Sequence, residues 1–113
     1  VLLKRGAKPD AQNSIGTTAL IAAAVNGHVQ MAETLLRHGA EINVQNSKGS
    51  TALMQAAMKG HERAVELLIR RGAGINLVDR LGRTGLLLAA ANGHERVIDL
   101  LLLQRGAEVN LQD

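Results

Sequence analysis

Glycine recurs in this chain at a fixed interval. Gly16, Gly49 and Gly82 stand 33 residues apart, and so do Gly27, Gly60 and Gly93, each followed by a histidine: His28, His61 and His94. The stretch 49–76, G-S-T-A-L-M-Q-A-A-M-K-G-H-E-R-A-V-E-L-L-I-R-R-G-A-G-I-N, has one counterpart before it (16–43) and one after it (82–110). Residues 2–7 line up with residues 35–40, so the chain opens on the tail of the same unit. A period of about 20 to 50 residues marks a stacked array in which each unit packs on its neighbours. The expected organisation is one domain over 1–113, with a partial unit at 1–12 and full units at 13–45, 46–78 and 79–112. Because the chain starts in mid-unit, it is expected to be a piece of something longer.

The composition limits how such units can pack. Among 113 residues there is no Cys, Phe, Tyr or Trp. Disulfides and thiolate metal sites are therefore excluded, and the core must be built from Leu, Ile, Val, Met and Ala. Ala in particular lets helix axes approach closely. The net charge of +3 is mild. It argues weakly for nucleic acid, and the aromatic stacking platforms that single strands use are missing. Apolar runs such as 86–91 are far short of the roughly 20 residues of a membrane span.

Local signals divide each unit into two helices. Thr18, Thr51 and Thr84 are N-cap candidates, since a side-chain oxygen can accept from an orphan N–H of the first turn. Short first helices are expected at 19–25, 52–58 and 85–91, too short to persist alone in water. Second helices are expected at 29–38, 62–71 and 95–104, with apolar stripes such as Ala64, Val65, Leu67 and Leu68. Gly6, Gly39, Gly72 and Gly106 sit where a helix end needs positive φ. Glu33 with Arg37, and Glu66 with Arg70, are acid-before-base pairs four apart, worth roughly 0.2–0.5 kcal/mol each. The third unit departs from this pattern. It carries one extra residue near Leu100–Leu103, which puts Leu103 rather than an arginine four after Asp99. Either the helix holds a π-bulge, or it stays α-helical, the next loop lengthens and Leu103 is exposed.

The recurring G-x-T-A-L…A-A…G-H…V-x-L-L-I-x-x-G-A-x-I-N pattern resembles the ankyrin repeat, in register and over essentially the whole chain. The resemblance implies an all-α solenoid of stacked helix-turn-helix units linked by β-hairpin loops. The family's T-P-L-H segment appears here as Thr18-Ala19-Leu20-Ile21, Thr51-Ala52-Leu53-Met54 and Thr84-Gly85-Leu86-Leu87. The missing prolines, and Gly85 above all, should loosen the helix starts. Ile21, Met54 and Leu87 cannot make the polar contacts of the family's histidine. A less stable array than an ideal one is expected.

Catalytic and cofactor chemistry finds no foothold. His28, His61 and His94 suggest a metal site, but each occupies the same point of its own unit, and packed helices lie about 8–10 Å apart. Ligands of one zinc ion at about 2.1 Å cannot be so separated. They are read as ties of the inter-helix loop. Ser14, Ser47 and Ser50 lie in turns without a nucleophile motif, and no phosphate-binding loop is present. The expectation is a protein that is not an enzyme and takes no metal or cofactor.

The resemblance implies non-catalytic protein–protein recognition through the concave face, made of the loop tips and first helices. The positions there that vary between units are Ile15, Thr17, Lys48, Ser50, Arg80, Leu81 and Arg83 at the tips, and Val25, Asn26, Gln55, Met58, Lys59, Leu88 and Asn92 on the first helices. Variation of this kind fits a recognition surface and fits unconstrained surface too. Ile15, Met58, Leu81 and Leu88 would form a partly exposed apolar stripe flanked by Lys48, Lys59, Arg80 and Arg83, the arrangement of an interaction patch; alternatively Ile15 and Leu81 pack hairpin on hairpin. The expected partner is an extended peptide or loop with apolar anchors and acidic character. Other readings stay open: a docking or regulatory domain of a larger enzyme or channel, a structural spacer, or an array that self-associates through an uncapped end. The resemblance also implies an intracellular setting. It matches Asn43, Asn76 and Asn110 to the hairpin asparagine that intracellular hydroxylases modify, with Gly74 departing from the pattern before Asn76; hydrogen bonding the turn would account for that asparagine equally.

Overall fold

Three threonines start the first helix of each unit. The Thr18, Thr51 and Thr84 hydroxyls accept from the backbone N–H of Ile21, Met54 and Leu87 at 3.1, 3.2 and 3.2 Å. Each is the N-cap in extended backbone, as the side-chain chemistry requires. The computed structural model describes residues 18–111, with side chains through Glu108. Six helices follow in order: α1 (Ala19–Val25), α2 (Val29–Arg37), α3 (Ala52–Lys59), α4 (Glu62–Arg70), α5 (Gly85–Ala91) and α6 (Glu95–Leu111).

The helices stack in two rows. The inner row is α1, α3 and α5, each packed on the next, and the outer row is α2, α4 and α6. The inner row packs closely because its facing positions are small: Ala23, Ala24, Ala56, Ala57 and Ala89 are all buried. Leu35, Leu68 and Leu101 close the core from the outer row and join the same continuous cluster. Ile21 and Met54, which stand where the related repeats carry histidine, are 1% and 2% exposed. Apolar burial of roughly 1.5–3 kcal/mol each replaces the missing polar contacts.

Helices α2 and α4 end in a closed pattern of hydrogen bonds around a left-handed glycine. Gly39 N–H donates to Leu36 O and Ala40 N–H to Leu35 O; Gly72 and Ala73 repeat this with Ile69 and Leu68. The glycines have φ of 96° and 90°, a conformation that costs any other L-residue about 1–2 kcal/mol. The turn drives Ala40 and Ala73 into the core.

The third unit does not do this. Leu101 keeps the core position of Leu35 and Leu68, so the extra residue falls after it, and Arg105, with helical rather than left-handed backbone, falls where Gly39 and Gly72 make the turn in their units. The helix therefore continues through Gly106 to Leu111, and Ala107 is exposed where Ala40 and Ala73 are buried. Gly106, expected to end the helix, lies inside it, and α6 extends well past the expected residue 104. The whole of α6 is α-helical, without a π-bulge, and Leu103 is 73% exposed.

Two further expectations change. Among the described residues, Glu33–Arg37 and Glu66–Arg70 do not pair within one helix. Ion pairs cross between units instead, Arg71 with Glu33 at 3.7 Å and Arg96 with Glu62 at 3.5 Å. The loop arms, expected as β-hairpins, form no strand ladder among the described residues. Each is a tight tip held by its own turn bonds.

Candidate functional site

The tips are built by one side chain each. At the first, Asn46 Oδ1 accepts from Lys48 N–H at 2.9 Å and Ser50 N–H at 3.0 Å. Asn46 N–H donates to Ser50 O, and Gly49 N–H to Asn46 O. At the second, Asp79 takes the same place: Oδ1 accepts from Leu81 and Arg83 N–H, both at 2.9 Å. Asp79 Oδ2 also accepts from Arg83 Nε at 2.9 Å. Asp79 is buried. The backbone N–H of Arg83, foremost, holds its carboxyl below the ordinary value of 3.8, against burial that pushes it up; the Arg83 side chain and Leu81 N–H add to the lowering.

The two tips are also tied to each other. Arg80 N–H donates to Lys48 O at 3.0 Å. Gln45 Nε2 donates to Gly49 O and, across the units, to Val78 O at 2.8 and 2.9 Å. Leu81 thus projects from a backbone held at several points, and it is 76% exposed.

The charges segregate. Helices α1, α3 and α5 contain no acidic residue. The one acid at the described tips, Asp79, is buried and paired, so the exposed charges there are Lys48, Arg80 and Arg83, with Lys59 at the end of α3. Glu33, Glu62, Glu66, Glu95, Asp99 and Glu108 lie on the outer row, and Glu41 is exposed on the arm that leads from α2 to the first tip. The exposed charges of the tips and the inner helices are therefore all positive, which a net charge of +3 does not reveal.

The expected site residues distribute as follows. Lys48, Arg80, Leu81 and Arg83 are exposed together at the tips, and Asn26, Lys59 and Asn92 are exposed at the far ends of the inner helices. Asn26 and Asn92 side chains each donate 2.8 Å to the carbonyl four residues back, Ala22 and Leu88, and so help finish their helices. Val25, Gln55 and Met58 are half-buried. Two positions expected at the surface are buried. Ser50 is 5% exposed, with its Oγ accepting from Gln55 Nε2 at 2.8 Å. Leu88 is 4% exposed, so it leaves the apolar stripe. Ile15 and Thr17 lie outside the described residues. Met58 stands six residues along α3 from its start, about 9 Å from the tip end at a 1.5 Å rise, so Leu81 and Met58 do not form one continuous stripe.

The histidines tie units together. His61 Nε2 donates to Val25 O and His94 Nε2 to Met58 O, both at 2.9 Å, each reaching back to the preceding unit rather than bracing its own loop alone. Among the described residues no three His, Asp or Glu side chains gather as metal ligands would, and no helix is long and apolar enough to cross a membrane. Asn43 Oδ1 accepts from Gly74 N–H at 2.8 Å, a link between loops. Asn76 is exposed, and Asn110 belongs to α6 rather than to a hairpin.

Exposed apolar residues that reading from single positions missed are Met31, Val78, Leu87 and Leu102. Leu87 stands at the position of Ile21 and Met54, which are buried.

No curated protein matches the chain. A family model described as ankyrin repeats, in three copies, matches residues 1–79 and 35–113, which together span the sequence. Ankyrin repeats are generally protein–protein interaction modules and typically non-catalytic. Period, caps, two-row stack and family match agree: the chain belongs to the ankyrin-repeat family.

Proposed function

We propose that this chain recognises a partner protein through its inner face, taking an extended acidic peptide or loop with apolar anchors. The observation that carries the reading is Leu81, a large apolar side chain 76% exposed on a braced tip, with the exposed cations Lys48, Arg80 and Arg83 on the same pair of tips. Exposed apolar surface with a polar rim is the usual form of an interaction site. A rigid tip loses little conformational freedom on binding. Met58, half-buried on α3, supplies an adaptable second anchor, and Gln55, Lys59 and Arg80 supply polar and cationic contacts around both. The cationic rim of Lys48, Arg80 and Arg83 gives acidic partners faster encounter and excludes basic ones.

A displayed random-peptide library panned against this chain and against its Met58→Glu, Leu81→Glu double variant tests the reading, with circular dichroism confirming that both fold alike. Peptides rich in Asp and Glu beside Leu, Ile or Phe should be enriched on the parent and lost on the variant. Binding should weaken as salt rises. Enrichment of basic peptides, or equal capture by the variant, would overturn the assignment.

A further inference from the structure

The two described tips close one turn with different side chains, and the difference leaves an arginine with donors to spare. In the first tip Gly49 N–H donates to Asn46 O and Asn46 N–H to Ser50 O; in the second Gly82 N–H donates to Asp79 O and Asp79 N–H to Arg83 O. Asn46 Oδ1 and Asp79 Oδ1 each accept two further backbone N–H groups. The first tip is complete at that point, and Ser50, the counterpart of Arg83, is buried with its Oγ accepting from Gln55 Nε2. A neutral acceptor therefore suffices to build the turn. The bond from Arg83 Nε to Asp79 Oδ2 at 2.9 Å is an addition to it.

That addition fixes a guanidinium at the surface. The Asp79 side chain is 4% exposed and its Oδ1 is held by two N–H groups, so Oδ2 is a stationary acceptor. Arg83 is bound to it through Nε, with its own side chain 49% exposed. The guanidinium is planar, and its far end, Nη1 with Nη2, still carries two parallel N–H groups. Among the described residues no hydrogen bond uses that end. Such a fork matches a carboxylate in two bonds at once, which an ammonium cannot do. Lys48 and Arg80 are exposed without a side-chain partner among the described residues, so they supply charge but no fixed direction.

Given a partner peptide of the kind proposed above, we infer that Arg83 determines its specificity: Nη1 and Nη2 take one Asp or Glu side-chain carboxylate, beside the apolar residue that packs on Leu81. Asp79 positions the fork. Only Gly82 separates Leu81 from Arg83, so the two contacts fall close together on the peptide and set its register. Lys48 and Arg80 attract acidic chain, and Arg83 reads where the acid stands. A carboxylate suits the fork better than a phosphate dianion, because the Asp79 charge stands behind the same guanidinium.

A displayed library with one Leu fixed and its flanks randomised tests this, panned on the parent chain and on Arg83→Lys, Arg80→Lys, Asp79→Asn and Leu81→Glu, with circular dichroism checking each fold. On the parent and on Arg80→Lys, Asp or Glu should concentrate at one position relative to the Leu. On Arg83→Lys, which keeps the charge, and on Asp79→Asn, which keeps a turn acceptor, that position should blur. The selected peptide and its copy with the acid changed to the amide are then titrated against parent and Arg83→Lys. The parent should prefer the acid by about tenfold, and the variant should bind the two nearly alike. An Arg83 that only supports the tip would weaken both peptides by the same factor and overturn the inference. A fixed acid position that survives in Arg83→Lys, or an acid read only at the free C-terminus of the peptide, overturns it while leaving the Leu81 anchor standing. Capture by Leu81→Glu equal to the parent's, or no capture by the parent, removes the anchor and the inference together.

Discussion

The His94 ring occupies the space that a side chain on Gly60 would need: a β-carbon there would stand 2.6 Å from Nδ1 and 2.7 Å from Cε1. Gly60 also has φ of 75°, so two separate reasons require glycine at one position. Gly93 has nearly the same φ, 73°, but open space above it. Comparing the two separates the causes. Gly93→Ala should lose about 1–2 kcal/mol, the cost of a left-handed L-residue. Gly60→Ala should lose about 1–3 kcal/mol more, because the His94 ring must leave the Met58 carbonyl or the helices must part. Urea unfolding of both variants measures the difference; equal losses would show that the histidine yields freely and ties nothing.

Gly85 is the converse case. It lies at the start of α5 without positive φ, and a β-carbon there would meet Ala57 Cβ at 3.7 Å and Leu101 Cδ1 at 3.9 Å, ordinary packing distances. Gly85→Ala should therefore stabilise the fold by about 0.5–1 kcal/mol, by restricting the unfolded chain and adding contact. The urea midpoint should rise with an unchanged slope. A lower midpoint would mean that α5 cannot approach α3 with a methyl group between them.

The length of α6 follows from one residue. Deleting Leu103 moves Gly106 back into the place that Gly39 and Gly72 hold in their units. The left-handed turn then becomes available where Arg105 now stands, and the following alanine can enter the core as Ala40 and Ala73 do. The helix should shorten from 17 residues toward the nine of α2 and α4. The circular dichroism signal at 222 nm should fall, and the α-carbon shift of the glycine should move out of the helical range. An unchanged helix would place the cause in the residues beyond it rather than in the insertion.

Most of the architecture could be read from residue spacing, because the 33-residue period superposes three noisy signals. Thr51 alone is a weak N-cap signal; Thr18, Thr51 and Thr84 in register are a strong one. What could not be read depended on neighbours. Whether Leu88 is exposed is decided by the packing of α5, and Ala22 and Gln55 at the equivalent positions are exposed and half-buried. Glu33 has Arg37 four residues ahead in sequence and Arg71 across the joint, and only the stack decides which it meets. The insertion at Leu100–Leu103 was visible, but its consequence depends on which residue lands at the left-handed turn, and that follows only once Leu101 is known to hold the core position.

Asp79 gives the second tip a dependence on pH that the first tip, built on Asn46, lacks. Its carboxyl is held below 3.8 by the N–H of Arg83, foremost, together with the Arg83 side chain and Leu81 N–H. A carboxyl whose value is lower folded than unfolded adds stability that is fully present above the unfolded value, near 3.9. That stability is lost as pH falls through the lower folded one. Asp79→Asn should leave the turn intact, since Asn46 already accepts the matching bonds from Lys48 and Ser50. It removes the charge facing Arg83, so the variant should be less stable than the parent at pH 7. The gap between their urea midpoints should then narrow as pH falls below about 4. Subtracting one curve from the other cancels the carboxylates they share. A gap that stays constant through that range would show that the Asp79 charge does not hold the tip.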